Sequence, residues 1–271
     1  MSCQPLIIIT ADRPKKNIGV GSNQTIWQKE IYGKYVRYSL NLKFSNSMSF
    51  EKITKKLQKA YQVCMGHSYS NKILPGPIHI NVQIDEPLID EELNQKINIE
   101  KQTIQSKFIC KPIQKQFVNK LNSCKNPLII CGGEKVESHN KNTIIRISKK
   151  LNAPIIADPI SNIRYNSNHE NIIPHFDLFW KHLDIKPDLI IRFGFKPTSK
   201  SLCEFIDQNK SITYSIDITG AFNDNKANIL ISDQNTILDL ITKNNSNTKW
   251  LKYFKNLDQD LGKTIKESKP S

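Results

Sequence analysis

The chain has 271 residues, 38% of them apolar and including 11 Phe, 8 Tyr and 3 Trp. That is enough for one large or two ordinary domains with their own cores, and it excludes wholesale disorder. No apolar run approaches the roughly 18–20 residues of a membrane-spanning helix. Met1–Pro5 lacks the basic start of a secretory signal, and Leu6–Thr10 is too short for its apolar core, so a soluble, cytoplasmic chain is expected. The net charge of +14, from 39 cationic and 25 acidic residues, raises the question of nucleic acid. Only Arg13, Arg37, Arg146, Arg164 and Arg192 are arginines, and the lysines are scattered singly or in pairs such as Lys15-Lys16 and Lys149-Lys150. No dense basic block and no basic run interleaved with aromatics appears, so nucleic acid is not an expected partner. The six cysteines contain no Cys-x-x-Cys pair. Their spacing suits neither a zinc module nor a disulfide scaffold, and Leu128-Ile129-Ile130-Cys131 reads as a reduced cysteine inside a core.

Short apolar runs closed by polar or turn residues predict strands at Pro5–Thr10, Ile78–Ile84, Pro127–Cys131, Pro154–Ala157, Asp188–Phe193, Ile212–Ile216 and Ile229–Ser232. Helices are expected between most of them, at Phe50–Gly66, Ile113–Ser123, Asn142–Leu151, Phe176–Leu183, Lys200–Asn209 and Thr236–Lys243. In the first of these Ile53, Leu57, Ala60, Tyr61 and Cys64 share one face. From residue 113 onward helix and strand alternate, which predicts a parallel sheet with helices on both sides; the fold class is α/β. Residues 86–112 are polar and charged and read as a linker. The unit before it shows only two convincing strands and one helix, which would leave an open sheet edge and an uncovered apolar face. Trp250, Leu251, Phe254, Leu257 and Leu261 mark an amphipathic helix with nothing obvious left in the chain to bury it.

Chemistry is expected first at Ile7-Ile8-Ile9-Thr10-Ala11-Asp12-Arg13-Pro14, followed by Gly19-Val20-Gly21-Ser22-Asn23-Gln24. A buried strand ends there in a polar corner, and ligands of open α/β sheets collect at such strand ends. Arg13 offers a rigid fork of donors for a carboxylate or phosphate. Asn23 and Gln24 each offer an uncharged donor and acceptor, suited to an aminopyrimidine edge or a substrate oxygen. The competing reading is a surface loop in which Ser22 or Asn23 caps a helix starting near Thr25. Gly19-Val20-Gly21 and Gly132-Gly133 do not complete a dinucleotide fingerprint, so a nicotinamide cofactor is not expected, and Gly132-Gly133 reads as a tight strand-to-helix turn. Alternation across Gly76–Asp85 puts Ile78, Ile80, Val82 and Ile84 on one face and His79, Asn81, Gln83 and Asp85 on the other, with a structural hydrogen bond expected at His79. His175 and His182 lie two helical turns apart, roughly 10 Å, too far for one metal. Arg192–Lys200 is a basic, hydroxyl-rich strand end. There Lys200 either meets an anion at a helix start or stays in solvent. Asp217 follows a strand, where ribose binding or plain solvation are both open.

Thr10-Ala11-Asp12-Arg13-Pro14, with ten positions from Arg13 to Asn23-Gln24, resembles the signature of the 2-succinyl-5-enolpyruvyl-6-hydroxy-3-cyclohexene-1-carboxylate synthase family. Gly76–Val82 through Glu86-Pro87-Leu88, Asp158-Pro159-Ile160-Ser161-Asn162 and Arg192–Lys200 resemble three further blocks of the same family, in the same order. The resemblance implies a thiamine diphosphate-dependent transferase, assisted by Mg²⁺. It would add the succinyl unit of decarboxylated 2-oxoglutarate to isochorismate, in menaquinone or phylloquinone biosynthesis, and act as a homo-oligomer at full length. It implies that residues 1–88 are the C-terminal part of a pyrimidine-binding domain and 89–112 a linker. Residues 113–245 would form a Rossmann-like central domain, and 246–271 a tail leading toward a diphosphate-binding domain that is missing. Arg13, Asn23 and Lys200 would contact substrate and Gln24 the cofactor, with Ser201 where the family sometimes has a second cation. The activating Glu expected upstream of the first block is not in this sequence, nor is any Gly-Asp-Gly motif for metal and diphosphate. No catalytic residue or metal ligand is therefore assigned, and the chain alone is expected to be an inactive piece. The alternative is a non-catalytic α/β module that binds a small anion or a partner subunit.

Overall fold

A computed structural model describes residues 4–43, 49–66, 75–86, 112–133, 141–165, 167, 169–216, 228–242 and 244–268. The chain divides into two compact units, Met1–Lys107 and Phe108–Ser271. Most of the expected linker, together with Asp217, Cys3 and Cys110, lies outside the described residues.

The first unit is built on a parallel sheet of β1 (Leu6–Asp12), β2 (Tyr38–Lys43) and β3 (Pro77–Gln83), in the order β1-β3-β2. Strand β2 was not expected. Its Tyr38-Ser39-Leu40-Asn41-Leu42 alternates with only two strongly apolar residues, yet Leu40 and Leu42 are buried and supply one side of the core. Helix α1 (Phe50–Cys64) starts at Ser49, whose side chain accepts the Lys52 N–H. It packs Ala60 and Cys64 against Leu40, Leu42, Ile78 and Ile80. The helix covers β2 and β3. The same face of β1 is left open, with Ile7 and Ile9 45% and 68% exposed, as the apolar run with no expected cover had suggested.

The other face of this sheet is polar and also buried. His79 and Asn81 are fully enclosed and Asp12 nearly so. The segment from Pro14 to Arg37 contains two single 3-10 turns, Lys15–Asn17 and Gly33–Tyr35. No helix begins at Thr25: its hydroxyl instead donates to the Ser22 carbonyl at 2.6 Å. Capping side chains alone do not nucleate a helix without an apolar face to dock. Gly19 has φ +80°, and the Trp27 ring lies 3.1 Å from where a Cβ would stand, so the loop can close over itself only with glycine there.

The second unit is a five-stranded parallel sheet in the order β5-β4-β6-β7-β8, formed by β4 (Pro127–Cys131), β5 (Ile155–Ala157), β6 (Leu189–Phe193), β7 (Thr213–Ile216) and β8 (Asn228–Leu230). Helices α2 (Lys115–Ser123), α3 (Lys141–Leu151) and α6 (Gln234–Leu240) cover one face through Phe117, Leu121, Ile144, Ile147, Leu151 and Ile237. Helices α4 (Phe176–Phe179), α5 (Lys200–Gln208) and α7 (Thr248–Glu267) cover the other through Phe176, Phe179, Leu202, Phe205, Trp250 and Phe254. This is the two-sided α/β layering that the alternating pattern predicts.

Helix α7 corrects the expectation of an amphipathic tail with nothing to bury it. Its apolar stripe closes the second face of the same sheet: Phe254 stacks against Phe176 and meets Trp250 edge-on, and the Trp250 indole donates to the Pro127 carbonyl at 2.6 Å. The helix predicted at Phe176–Leu183 forms only a single α-helical turn, Phe176–Phe179, too short to cover its side of the sheet alone.

The strand order changes direction between β4 and β6, where open α/β folds usually hold ligands. At this point the chain segments that follow β4 and β6 approach closely. A Cβ at Gly132 would meet the Phe195 carbonyl oxygen at 1.8 Å, and one at Gly133 would meet the Ile160 side chain at 2.7 Å. Gly132 N–H donates to Phe193 and Phe195 N–H to Gly133. These glycines permit backbone-to-backbone contact at the strand ends.

Replacing Phe254 by Ala should destabilise the second unit by about 3–5 kcal/mol, because a large ring leaves a cavity between sheet and helix. Leu178→Ala, at a side chain that is 60% exposed, should shift the urea midpoint little. Paired unfolding curves of the two variants check this.

Candidate functional site

At the carboxyl end of β1 the chain turns out of the sheet through Asp12, Arg13 and Pro14. An open cleft of about 370 Å³ lies there, lined by Asp12, Arg13, Lys16, Gln24, Asp85 and Glu86 among others. The parallel register sets Asp12 beside Gln83, so Asp85 and Glu86 leave β3 next to the Arg13 corner. Two cations and three carboxylates thus share one rim. Lys16 pairs with Asp85 at 3.1 Å, and the Arg13 guanidinium stands 4.0 Å from Glu86. The Lys16 ammonium, with the Glu86 backbone N–H, holds the Asp85 carboxyl below its ordinary range. Both ion pairs are exposed, so they are weak and readily exchanged for an arriving anion.

Beneath the cleft the polar face of the sheet forms one continuous network. The Asn81 amide donates to Asp12 Oδ2 at 3.0 Å and to Asn41 Oδ1 at 2.8 Å, and its Oδ1 accepts from the Thr10 hydroxyl at 2.8 Å. Asp12 Oδ1 accepts the Arg13 backbone N–H at 2.9 Å. The carboxylate of Asp12 can only accept, which fixes the Asn81 amide with its nitrogen toward Asp12 and its oxygen toward Thr10. The Thr10 proton is then committed to Asn81, so the His79 Nε2, 2.8 Å from Thr10 Oγ1, must be the donor to that hydroxyl. His79 is the neutral Nε2–H tautomer. Its Nδ1, buried and with no hydrogen-bond partner among the described residues, is a bare acceptor. The Tyr32 ring meets the imidazole edge-on at 4.9 Å. A proton added at Nδ1 would create a buried donor with nothing to receive it, and burial accordingly pushes the His79 pKa down.

The sequence-predicted residues separate into three positions. Arg13 and Gln24 come together on the cleft. Gln24 reaches it with φ +59°, a left-handed conformation that is uncommon away from glycine and marks a constrained corner. Asn23, its neighbour, is not among the cleft residues. Lys200 belongs to the second unit, at the first position of α5, with an exposed side chain 3.9 Å from Glu204. Sequence reasoning missed Lys16 and Asp85. Their signal was present, as a cation just after the Arg-Pro corner and an acid at the end of the neighbouring strand, but it could be read only with the β1–β3 register in hand.

Two motif blocks of the second unit meet at Asp158. Its carboxylate accepts the Ile160 N–H at 3.0 Å, and the Thr198 N–H and hydroxyl at 2.6 and 2.8 Å. Ser199 caps α5 through the Leu202 N–H and donates to Asp177. The Asp158-Pro159-Ile160-Ser161-Asn162 and Pro197-Thr198-Ser199-Lys200 stretches are therefore tied into one structure that sets where α5, and Lys200 with it, begins. Of the described thiols, Cys203 sits beside this structure and donates to the Pro197 carbonyl at 3.2 Å. Cys64 and Cys131 are buried, and burial with the nearby Asp188 charge pushes Cys124 up to about 12, leaving it unreactive at neutral pH. Among the described residues no group of three His, Cys, Asp or Glu could hold a metal ion, and none of the helices is long and apolar enough to cross a membrane.

The fold is shared with part of a thiamin diphosphate-dependent enzyme. A crystal structure described as such an enzyme, from Mycobacterium smegmatis, superposes with a TM-score of 0.60 over 91% of this chain and 47% of its own, at 15% identity. Sequence then narrows the class. The chain is 29% identical to the 2-succinyl-5-enolpyruvyl-6-hydroxy-3-cyclohexene-1-carboxylate synthase of Lactococcus lactis subsp. cremoris over 100% of its own length and 50% of that protein's. It is 31% identical to the Bacillus pumilus synthase over 81% of its length and 39% of that protein's. The chain is similar to this synthase family over the part it spans, which is at most about half of these curated relatives. No family model matches the chain.

Stability should fall on acidification through His79. A histidine held neutral by burial contributes fully above its ordinary pKa of 6.5 and loses that contribution as pH falls from there toward its lower folded value. Urea midpoints at pH 7.5 and 5.0 should drop more for the wild-type chain than for His79→Gln. Subtracting the variant also removes the parallel effect of His169, which burial lowers as well.

Proposed function

We propose that the chain carries the substrate-facing part of a thiamine diphosphate-dependent synthase that joins the succinyl unit of decarboxylated 2-oxoglutarate to isochorismate, on the way to menaquinone or phylloquinone. The observation that carries this reading is the placement of Arg13 and Gln24 on one cleft at the carboxyl end of a parallel strand, inside the block that resembles the family signature. Arg13 would exchange its exposed Glu86 partner for a substrate carboxylate, a bidentate fit for guanidinium. Gln24 would face the cofactor's uncharged ring, and Asn23 the substrate beside it. Lys200, at a helix N-terminus, would receive a second carboxylate.

When bound, thiamine diphosphate supplies the carbanion chemistry. The described residues do not fit its diphosphate and Mg²⁺: they hold no metal-ligand cluster, and the sequence has no Gly-Asp-Gly. No chemical step is therefore assigned to this chain, and its roles are to hold and orient substrate. A cytoplasmic location and a homo-oligomer of the full-length protein belong to the same reading.

Purified chain, shown folded by its near-UV spectrum, should give no product from 2-oxoglutarate and isochorismate with thiamine diphosphate and Mg²⁺. Turnover would mean that a complete cofactor site is present. The chain should nevertheless bind isochorismate, and Arg13→Ala should weaken that binding about tenfold or more, the usual loss for a charge-assisted hydrogen bond. Calorimetric titration reads both.

One observation favours the alternative of a non-catalytic module for a small anion or a partner subunit. Val20, Ile26, Trp27, Ile31 and Tyr35 are all more than half exposed along one segment beside the cleft, an apolar surface of the kind that subunits cover. Isochorismate binding that is indifferent to Arg13→Ala would favour it.

A further inference from the structure

We infer that Asn81 is a positioning residue for the cleft: through Asp12 it fixes the backbone of Arg13, and so the direction from which the guanidinium meets a carboxylate. The inference rests on the carboxylate reading of Arg13 and adds to it a residue with no contact to the ligand.

Asn81 is 1% exposed and lies in the central strand of its sheet. Both of its amide protons and its oxygen are used, each toward a different residue: Asp12 and Thr10 on β1, and Asn41 on β2. One side chain therefore locks both edge strands to the middle one at the depth where the cleft begins. Only the arm to Asp12 continues toward the ligand. Asp12 uses its second oxygen for the Arg13 N–H, at the residue where β1 leaves the sheet and Pro14 restricts the next turn. With Oδ2 held by Asn81, the carboxylate cannot rotate away from that N–H without leaving a buried amide proton unpaired. The donors run in one direction, from His79 through Thr10 and Asn81 to Asp12, and each bond polarises the next. A leucine at 81 has the same branched shape and donates nothing.

Two consequences separate positioning from mere support. Asn81→Leu should increase hydrogen exchange at the Arg13 amide about tenfold, the loss expected for one hydrogen bond, and weaken isochorismate binding by a similar factor. Asn41→Ala removes the other acceptor of the same amide but leaves the Asp12 arm intact. It should lower the unfolding midpoint while leaving Arg13 exchange and isochorismate affinity within about twofold of wild type.

If Asn81→Leu is too unstable to read, Asn81→Ser serves, because its shorter hydroxyl does not reach Asp12; it should give the same loss at Arg13. Unchanged exchange at Arg13 in Asn81→Leu, or in Asn81→Ser where that is the variant read, overturns the positioning role whatever the ligand does. So does equal loss in Asn81→Leu and Asn41→Ala, which is what a purely structural clamp gives. Changed exchange at Arg13, with isochorismate binding that Arg13→Ala does not weaken, overturns the carboxylate reading on which the inference rests. That outcome is distinct from the other two.

Discussion

The first unit depends on a single amide. Three parallel strands present a polar row on their second face, and a polar row inside a fold is tolerated where its donors are matched; here His79 Nδ1 is left a bare acceptor among the described residues. Asn81 matches it: one side chain satisfies Asp12, Asn41 and Thr10, and the direction of its amide dictates the tautomer of His79. The face opposite is ordinary, with α1 covering β2 and β3 through Ala60 and Cys64. The asymmetry has a functional meaning. The apolar face holds the unit together, while the polar face transmits order to the strand end where Arg13 stands.

The second unit solves a different problem. Its sheet is apolar on both sides and needs three helices on each, and α7 is the element that completes the second side. At its strand ends Gly132 and Gly133 let the backbone of residue 195 approach closely. Two polar features near the strand ends, Asp158 with Thr198 and Ser199 with Asp177, start helix α5 at a fixed place. Lys200 therefore sits at a defined helix start, even though its own side chain is free to move in solvent.

Much of this was legible in residues 113–242, where long apolar runs alternate with amphipathic ones and the period distinguishes strand from helix. It was less legible where polarity and burial disagree. Strand β2 escaped because Ser39, Asn41 and Lys43 dilute its apolar face. The helix expected near Thr25 does not form because Ile26 and Trp27 have no apolar surface to dock on and stay exposed. The amphipathic tail could be recognised as a helix but not assigned a partner, since the shortness of α4 shows only in three dimensions. At the site, Arg13 and Gln24 could be paired from motif spacing. Lys16, Asp85 and the role of Asn81 required the β1–β3 register, because the residues they act with are some 70 positions away in the chain.

The central claim is that a directed row of hydrogen bonds runs from His79 to the Arg13 corner. The most direct measurement is the ring-nitrogen NMR spectrum of the chain with ¹⁵N-labelled histidine at neutral pH. The account requires His79 to appear as the Nε2–H tautomer with an unprotonated Nδ1, a state lost in Thr10→Val, where the hydroxyl that receives the proton is gone. A proton on Nδ1, or a spectrum indifferent to Thr10→Val, would reverse the direction of the row and contradict the account.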